Sequence, residues 1–376
     1  VEDRVKSVIT NVVFASCLLS LGFSQTILAN EFDDPARVLS LILCEKYLSM
    51  EGQTLATAKP YSDKIPEFLK LIRAVTPPNI LPFKVHSFNP DEKVGEESFV
   101  AIVMQILNPN SALKHELDHY VETLGGRNDP ALWAAYLQSY GRIVPFSNSY
   151  LEEMAAIDEI LPEEGTFIDN GAGQGIMTAF MALNRPKRRM IATDYEPESV
   201  AIAKQRLAYF TDGDFARFDA QILDVTKNHL PRNSADGGYT HNVIYLLGDR
   251  KQQAINNMVA PLKPGSPFIY IDVADTPREK QQKALMDIAF SSIRNGSPAN
   301  MFDFALVGYV NLYILLAERQ DHHSFLSTDA EQRAMLKAAG LEVHGVFESY
   351  GGSSMMYYTT KERPERGSPS SKSGSQ

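Results

Sequence analysis

The stretch from Thr166 to Leu183, TFIDNGAGQGIMTAFMAL, constrains the fold more than any other. A short apolar run ends in Asp169. Three glycines follow at alternate positions, Gly171, Gly173 and Gly175, and apolar residues at helical spacing begin directly after them. A buried strand, a tight turn and a helix N-terminus give this pattern. Glycine lets the backbone turn sharply and approach a ligand where any Cβ would collide. The first N–H groups of the helix then face the crevice beyond the strand. No Lys-Ser or Lys-Thr pair follows Gly175, so the loop is not a triphosphate-binding P-loop.

Downstream of Tyr150 strand-like and helix-like patterns alternate, which predicts a parallel sheet. Strands are expected at Thr166–Asn170, Met190–Asp194, Phe215–Leu223, Asp236–Asn242 and Pro267–Val273, with helices at Pro197–Phe210 and Asp249–Leu262. Leu341–Glu348 and Ser354–Thr360 read as a closing antiparallel hairpin joined through Gly351-Gly352. The basic run Arg185-Pro-Lys-Arg-Arg189 reads as a solvated turn before the second strand. Two further strands end at acids, Asp194 and Asp224.

The glycine loop and these spaced acids, taken together, resemble the class I S-adenosylmethionine-dependent methyltransferases from Leu151 to Lys361. Ser234-Ala-Asp236 through Leu247 matches that family's fourth-strand motif, and Pro261-Leu-Lys-Pro-Gly265 matches the turn before its fifth strand. The loop departs from the family's usual G-C-G-T-G at Asn170, Ala172 and Gln174. The resemblance implies an α/β fold, a Rossmann-like seven-stranded, mostly parallel sheet with helices on both faces. It also implies S-adenosyl-L-methionine as the cofactor. On that basis Asn170, Gly171, Ala172, Gly173 and Gly175 form the donor loop, and Asp169 lies near the methionine end. Asp194 binds the ribose hydroxyls with Tyr195 beside it, and Asp224, next to Val225, contacts the adenine amino group. A carboxylate suits a diol or an exocyclic amine because it accepts two hydrogen bonds at once. Each acid, taken alone, also reads as a solvated strand end.

Methyl transfer from a sulfonium needs a nucleophile held in line, and a base only where the acceptor must lose a proton. His241, after the fourth strand, stands where this family often places a small polar residue facing the donor, and Tyr245 follows one turn later. Both are candidate catalytic residues for orienting or deprotonating an acceptor. A histidine hydrogen-bonded within the crevice without catalytic duty is the alternative. The absence of Asn-Pro-Pro-Tyr or Asp-Pro-Pro-Tyr here argues against methylation of nucleic-acid bases. Pro277–Ile293 and Asn300–Glu318 are expected to form a helical insertion, its second piece apolar almost all round. That piece reads as a core helix packed on the N-terminal helices, or as the roof of the pocket. Such a lid fits a small-molecule acceptor, an apolar or aromatic hydroxyl compound. Thr328-Asp-Ala-Glu331 is a capping box opening a helix over Ala330–Ala339.

Ahead of the sheet, residues 30–150 read as an all-helical module, with helices at Pro35–Met50, Ile65–Val75, Glu97–Leu107, Ser111–Leu124 and Pro130–Tyr140. Ser111 is the expected N-cap of the fourth. This module packs on the following domain or carries a homodimer contact. It holds the rival signal, His115-Glu-Leu-Asp-His119, two imidazoles one helical turn apart with a glutamate between them. That is the pattern of a zinc-dependent hydrolase. Asp118 is out of place in it, and a third ligand would have to come from Glu152, Glu153, His322 or His323. An amphipathic helix with solvated side chains is the plainer reading, and no metal is assigned. A non-catalytic donor-binding protein is the third hypothesis.

The ends and the charge bound the partners. Residues 1–29, with apolar Val12–Leu21 and Ala29, read as a secretory signal peptide or as a first amphipathic helix. Export conflicts with a cytoplasmic methyl donor, and the compartment stays open. No stable membrane insertion is expected after processing. The net charge of −10 argues against a nucleic-acid partner. Cys17 and Cys44 alone offer neither a disulfide framework nor a cysteine zinc site. The serine-rich tail, 363–376, reads as a disordered extension.

Overall fold

The computed structural model describes residues 64–76, 94–126, 129–211, 213–214, 216–315 and 326–363. The expected signal segment, the helix at 35–50, His322, His323 and the tail beyond Arg363 lie outside them. In chain order the elements are α1 (Lys64–Val75), α2 (Glu96–Leu107), α3 (Ala112–Thr123), α4 (Pro130–Ile143), α5 (Asn148–Ile160), β1 (Gly165–Asn170), α6 (Ile176–Asn184), β2 (Arg188–Asp194), α7 (Pro197–Phe210) and β3 (Phe218–Ile222). There follow β4 (Gly237–His241), a 3-10 segment (Ile244–Arg250), α8 (Lys251–Val259), β5 (Pro267–Val273), α9 (Arg278–Arg294), α10 (Met301–Tyr309), α11 (Asp329–Ala338), β6 (Leu341–Ser349) and β7 (Ser354–Lys361). The chain divides into two compact units. One holds residues 1–152, 276–321 and 350–352; the other holds 153–275, 322–349 and 353–376.

The second unit is built on a seven-stranded sheet of order β3-β2-β1-β4-β5-β7-β6. β1 to β5 run parallel, and β7 pairs antiparallel with both β5 and β6. The order reverses between β1 and β4, the switch point beyond which an open α/β sheet leaves a crevice at its carboxyl edge. Apolar residues of α8 and α11 cover one face through Ile168, Phe268, Tyr270 and Tyr357. The other face carries Phe167, Asp169, Tyr239 and His241, because side chains alternate along each strand and Asp169 lies opposite Tyr239. This is the Rossmann-like seven-stranded arrangement expected from the sequence, with somewhat shorter third and fourth strands.

Two features of this unit differ from expectation. The sequence reading has no helix ahead of β1, where α5 stands. The basic turn is not wholly solvated either, since Arg188 is buried. Its guanidinium reaches Asp158 Oδ1 (2.5 Å) and the carbonyls of Asp158 (2.7 Å), Leu161 (2.5 Å) and Pro162 (2.6 Å). A charge leaves water only when paired and hydrogen-bonded, and the missing helix α5 supplies that partner.

The first unit is all-helical among its described residues. α2, α3, α4, α9 and α10 share one apolar core, with Phe99 ring-on-edge to Phe290 (5.4 Å) and Tyr120 to Phe302 (5.4 Å). The apolar insertion therefore packs on the N-terminal helices, as its composition predicts. Two polar contacts fix it there. Arg142 pairs with the buried Asp303 (3.2 Å), and Tyr309 donates to Asp118 (2.6 Å). After Tyr309 the helix widens into π geometry over Val310–Leu315. Ser111 caps α3 as expected, accepting from the Lys114 N–H. Among the described residues no helix is long and apolar enough to cross a membrane.

Candidate active site

Each glycine of the loop has positive φ, at +73° (Gly171), +52° (Gly173) and +70° (Gly175), a region L-residues rarely enter. Their surroundings differ. A Cβ on Gly171 would lie 2.4 Å from Val243, and one on Gly175 would lie 2.9 Å from the Cβ of Ala203 on α7. A Cβ on Gly173 would meet nothing within 4 Å. Gly171 and Gly175 thus serve close packing, and Gly173 alone leaves an open cradle. The loop is tied down from several sides. The N–H groups of Gly171 and Ala172 both donate to the Thr193 carbonyl (2.8 and 2.9 Å). Arg206 of α7 donates to the Gln174 carbonyl (2.7 Å).

The strand-end acids play unequal parts. Asp169 is buried, and its Oδ2 accepts from Thr178 Oγ1 (2.5 Å) and Tyr239 OH (2.8 Å). Burial pushes its carboxyl up to about 6, against the pull of those two donors. Asn170 is also buried, its amide donating to the Tyr239 carbonyl (3.1 Å). Asp194 is half-buried. One of its oxygens accepts from the Gly173 N–H (2.8 Å) and the other from the Glu196 N–H (3.0 Å). Burial raises its pKa, and those backbone donors lower it. Tyr195 beside it is exposed. Asp224 closes a turn, accepting from the Thr226 N–H (3.0 Å) and hydroxyl (2.6 Å), with Lys227 at 2.8 Å. The Lys227 and Thr226 hydrogen bonds hold its carboxyl down to about 2. Val225 is buried beneath it.

At the end of β4, His241 Nε2 lies 2.7 Å from Glu153 Oε2, on the helix α5. Glu153 is buried, and its Oε1 has no hydrogen bond among the described residues. Asn242 follows with φ +54°, turning the chain sharply after the histidine. The sequence reading offers Glu153 only as a remote metal ligand. Tyr245 is half-buried in the 3-10 segment, and its backbone N–H supports Asp272, a buried acid at the end of β5. Asp272 also accepts from Tyr270 OH (3.2 Å), and burial pushes it up to about 7 against the Tyr245 N–H and the charge of Lys251. His241 pairs with Ile271, so Asp272 belongs to the opposite face of the sheet from His241. Sequence reasoning missed Asp272, Thr178 and Arg206 as well. The acid-ended strand Phe-Ile-Tyr-Ile-Asp272 was the one signal available for the first of these.

The rival histidines have other surroundings. His115 and His119 lie on an exposed stripe of α3, and Asp118 between them is held by Lys114 and Tyr309. Among the described residues, no group of three or more His, Cys, Asp or Glu side chains is placed to hold a metal ion.

Residues 168–268 match the family model of a methyltransferase domain. No curated protein matches the sequence. Among solved structures, the chain is similar to a SAM-dependent methyltransferase from Aquifex aeolicus, at 15% identity and TM-score 0.38 over 57% of this chain and 90% of that one. It is also similar to an O-methyltransferase family 2 protein from Planctomyces limnophilus in complex with apigenin, at 16% identity and TM-score 0.40 over 70% and 69%. A third is the N-methyltransferase NodS from Bradyrhizobium japonicum, at 14% identity and TM-score 0.39 over 57% and 97%.

Proposed function

We propose that this chain, in which residues 168–268 match the family model of a methyltransferase domain, is an S-adenosylmethionine-dependent methyltransferase that methylates a small molecule at the carboxyl edge of its sheet. When bound, S-adenosylmethionine supplies a methyl group already activated on a sulfonium. The observation that carries the reading is the open space over Gly173, directly beside the Asp194 carboxylate that holds its N–H. Of the three glycines, Gly173 has open space where its Cβ would stand, while Gly171 and Gly175 face Val243 and Ala203. A carboxylate offers about four acceptor positions. Asp194 accepts from the N–H groups of Gly173 and Glu196, with that of Tyr195 also directed at it, which leaves capacity for a ribose hydroxyl. The residues present therefore fit the donor.

In this reading Asp169 and Asn170 act from beneath, anchoring the first glycine turn through Thr178 and Tyr239 rather than touching the donor. Gly171, Ala172, Gly173 and Gly175 shape the cradle. Tyr195 and the Asp224-Val225 turn would border the adenine, with Asp224, which Lys227 meets at 2.8 Å, as the acceptor for a purine amino group. His241, on the same face of the sheet as Asp169, is the residue that orients or deprotonates the acceptor, with Tyr245 further along the chain. The apolar or aromatic hydroxyl acceptor is a reading of the insertion's composition.

Isothermal calorimetry with S-adenosylhomocysteine tests the donor site. The wild type should bind, and Asp194→Ala should bind at least several-fold more weakly, through loss of charge-assisted hydrogen bonds. Equal affinity in the two proteins would move the donor elsewhere.

A further inference from the structure

Two buried acceptor oxygens near the end of β5 are short of a donor. Asp272 is 1% exposed, and its Oδ1 has no hydrogen bond among the described residues. Gln332 of α11 is buried too, and its Oε1 has none either. The Gln332 amide is held at this corner by the carbonyls of Val273 (3.3 Å) and Ser327 (3.0 Å). A carboxylate only accepts, so it adds to the shortage, whereas a carboxylic acid brings a donor of its own.

Asp272 also grips the stretch that follows His241, and it does so at two points. The Tyr245 N–H is directed at its carboxyl group, and the charge of Lys251, the first residue of α8, acts on it. Lys251 is itself buried, its Nζ donating to Ser327 Oγ (3.0 Å). Between β4 and that lysine the backbone has two unusual positions, Asn242 at φ +54° and Gly248 at φ +53°, ψ −129°. No atom lies within 4 Å of where a Gly248 Cβ would stand. A few positions of this kind absorb the dihedral change when a segment moves. Val243, in the same stretch, packs on Gly171 of the glycine loop, where a Cβ would lie 2.4 Å from it.

We propose that Asp272 is a positioning residue that works as the neutral acid: protonated, it holds residues 242–250 to the end of β5, and on ionising it releases them about Asn242 and Gly248. Only the consequence for the donor, carried from Val243 to Gly171, rests on the methyltransferase reading. The titratable groups that face Asp272 are Tyr270 on its own strand, Lys251 on α8 and Tyr357 on β7. From α11, Glu331 faces Lys251, while Asp329 and Arg333 engage Tyr357. Asp249 and Arg250, within the stretch, are exposed. Burial pushes Asp272 up to about 7 while the stretch is closed. Water reaching an opened stretch returns the acid toward its ordinary 3.8. The closed form therefore binds the proton more tightly, and rising pH favours opening until the closed form ionises as well.

Hydrogen exchange of the full chain without ligand, read as protection factors at pH 6 and pH 8, tests the clamp. In wild type the amides of Tyr245, Leu246 and Lys251 should lose about fivefold to tenfold in protection between the two. In Asp272→Asn, neutral at both, they should lose none. Unchanged protection in wild type overturns the proposal, and so does an equal loss in the two proteins. A parallel loss in the amides of β1 and β4 would be a fall in global stability, and it overturns a local clamp. Should the variant not fold, infrared spectra of wild type decide. The band of a protonated buried carboxyl should fade between pH 6 and pH 8; a band absent at pH 6, or unchanged at pH 8, overturns the proposal. Calorimetry with S-adenosylhomocysteine reads the consequence: wild-type affinity should fall several-fold from pH 6 to pH 8, and that of Asp272→Asn should not. An equal fall in both proteins overturns the link from Asp272 to the glycine loop. No binding by either protein at either pH would instead overturn the methyltransferase reading, and the exchange result would still decide the clamp.

Discussion

At the scale of single residues, the three loop glycines make separable predictions. Gly175→Ala puts a methyl group 2.9 Å from the Cβ of Ala203 at φ +70°, so overpacking adds to left-handed strain. It should destabilise the fold by roughly 2–4 kcal/mol, as measured by urea unfolding. Gly173→Ala has strain but no neighbour, so about 1–2 kcal/mol of stability should be lost. Its donor affinity should suffer more, because the methyl occupies the cradle; calorimetry separates the two effects. Asp272 makes a prediction about pH. Its folded-state pKa of about 7 lies above the ordinary 3.8, so between those values the folded state binds more protons than the unfolded chain. Stability then falls as pH rises, by up to about 1.4 kcal/mol per pH unit, and levels off above the folded pKa. Asp169 acts in the same direction up to about 6. Denaturation of Asp272→Asn at pH 5 and pH 8 should show the variant gaining on wild type at the higher pH.

Among the elements, α5 has the largest consequences for what the sequence conceals. Leu151, Met154 and Ile157 recur at three-residue spacing, a helical signal that the sequence reading left unused. With α5 absent, Arg188 has no visible partner and Glu153 no visible purpose. Arg188→Met should cost about 3 kcal/mol or more in thermal or urea unfolding, because it leaves Asp158 short of a buried counter-charge. The start of α10 offers a smaller test. Asn300 and Asp303 form a reciprocal capping box, and Asn300→Ala should cost about 1 kcal/mol. The glycine loop, the parallel strands and the capping box at Thr328 were all legible, because each is written in neighbouring residues as a period of two, a period near four or a turn. The His241–Glu153 pair was not, since its members are 88 residues apart and neither position carries a local pattern.

For the molecule as a whole, ligand linkage gives a direct check. S-adenosylhomocysteine at about a hundred times its Kd should raise unfolding stability by roughly 2.7 kcal/mol. Amide exchange should slow around Gly171–Gly175 and Asp194, and remain unchanged in α2 and α3. The succession of strands and helices along the chain and the tight glycine turn follow from the chain's own periodicities, which local backbone sterics and burial enforce without reference to distant residues. Hydrophobic content likewise placed the Met301 helix in a core. Long-range packing decided the rest: which glycine stays open, which acid is buried beneath the loop, and which carboxylate faces His241. Those outcomes depend on distances between residues far apart in sequence, and burial changes the cost of a charge only once the fold has removed its water.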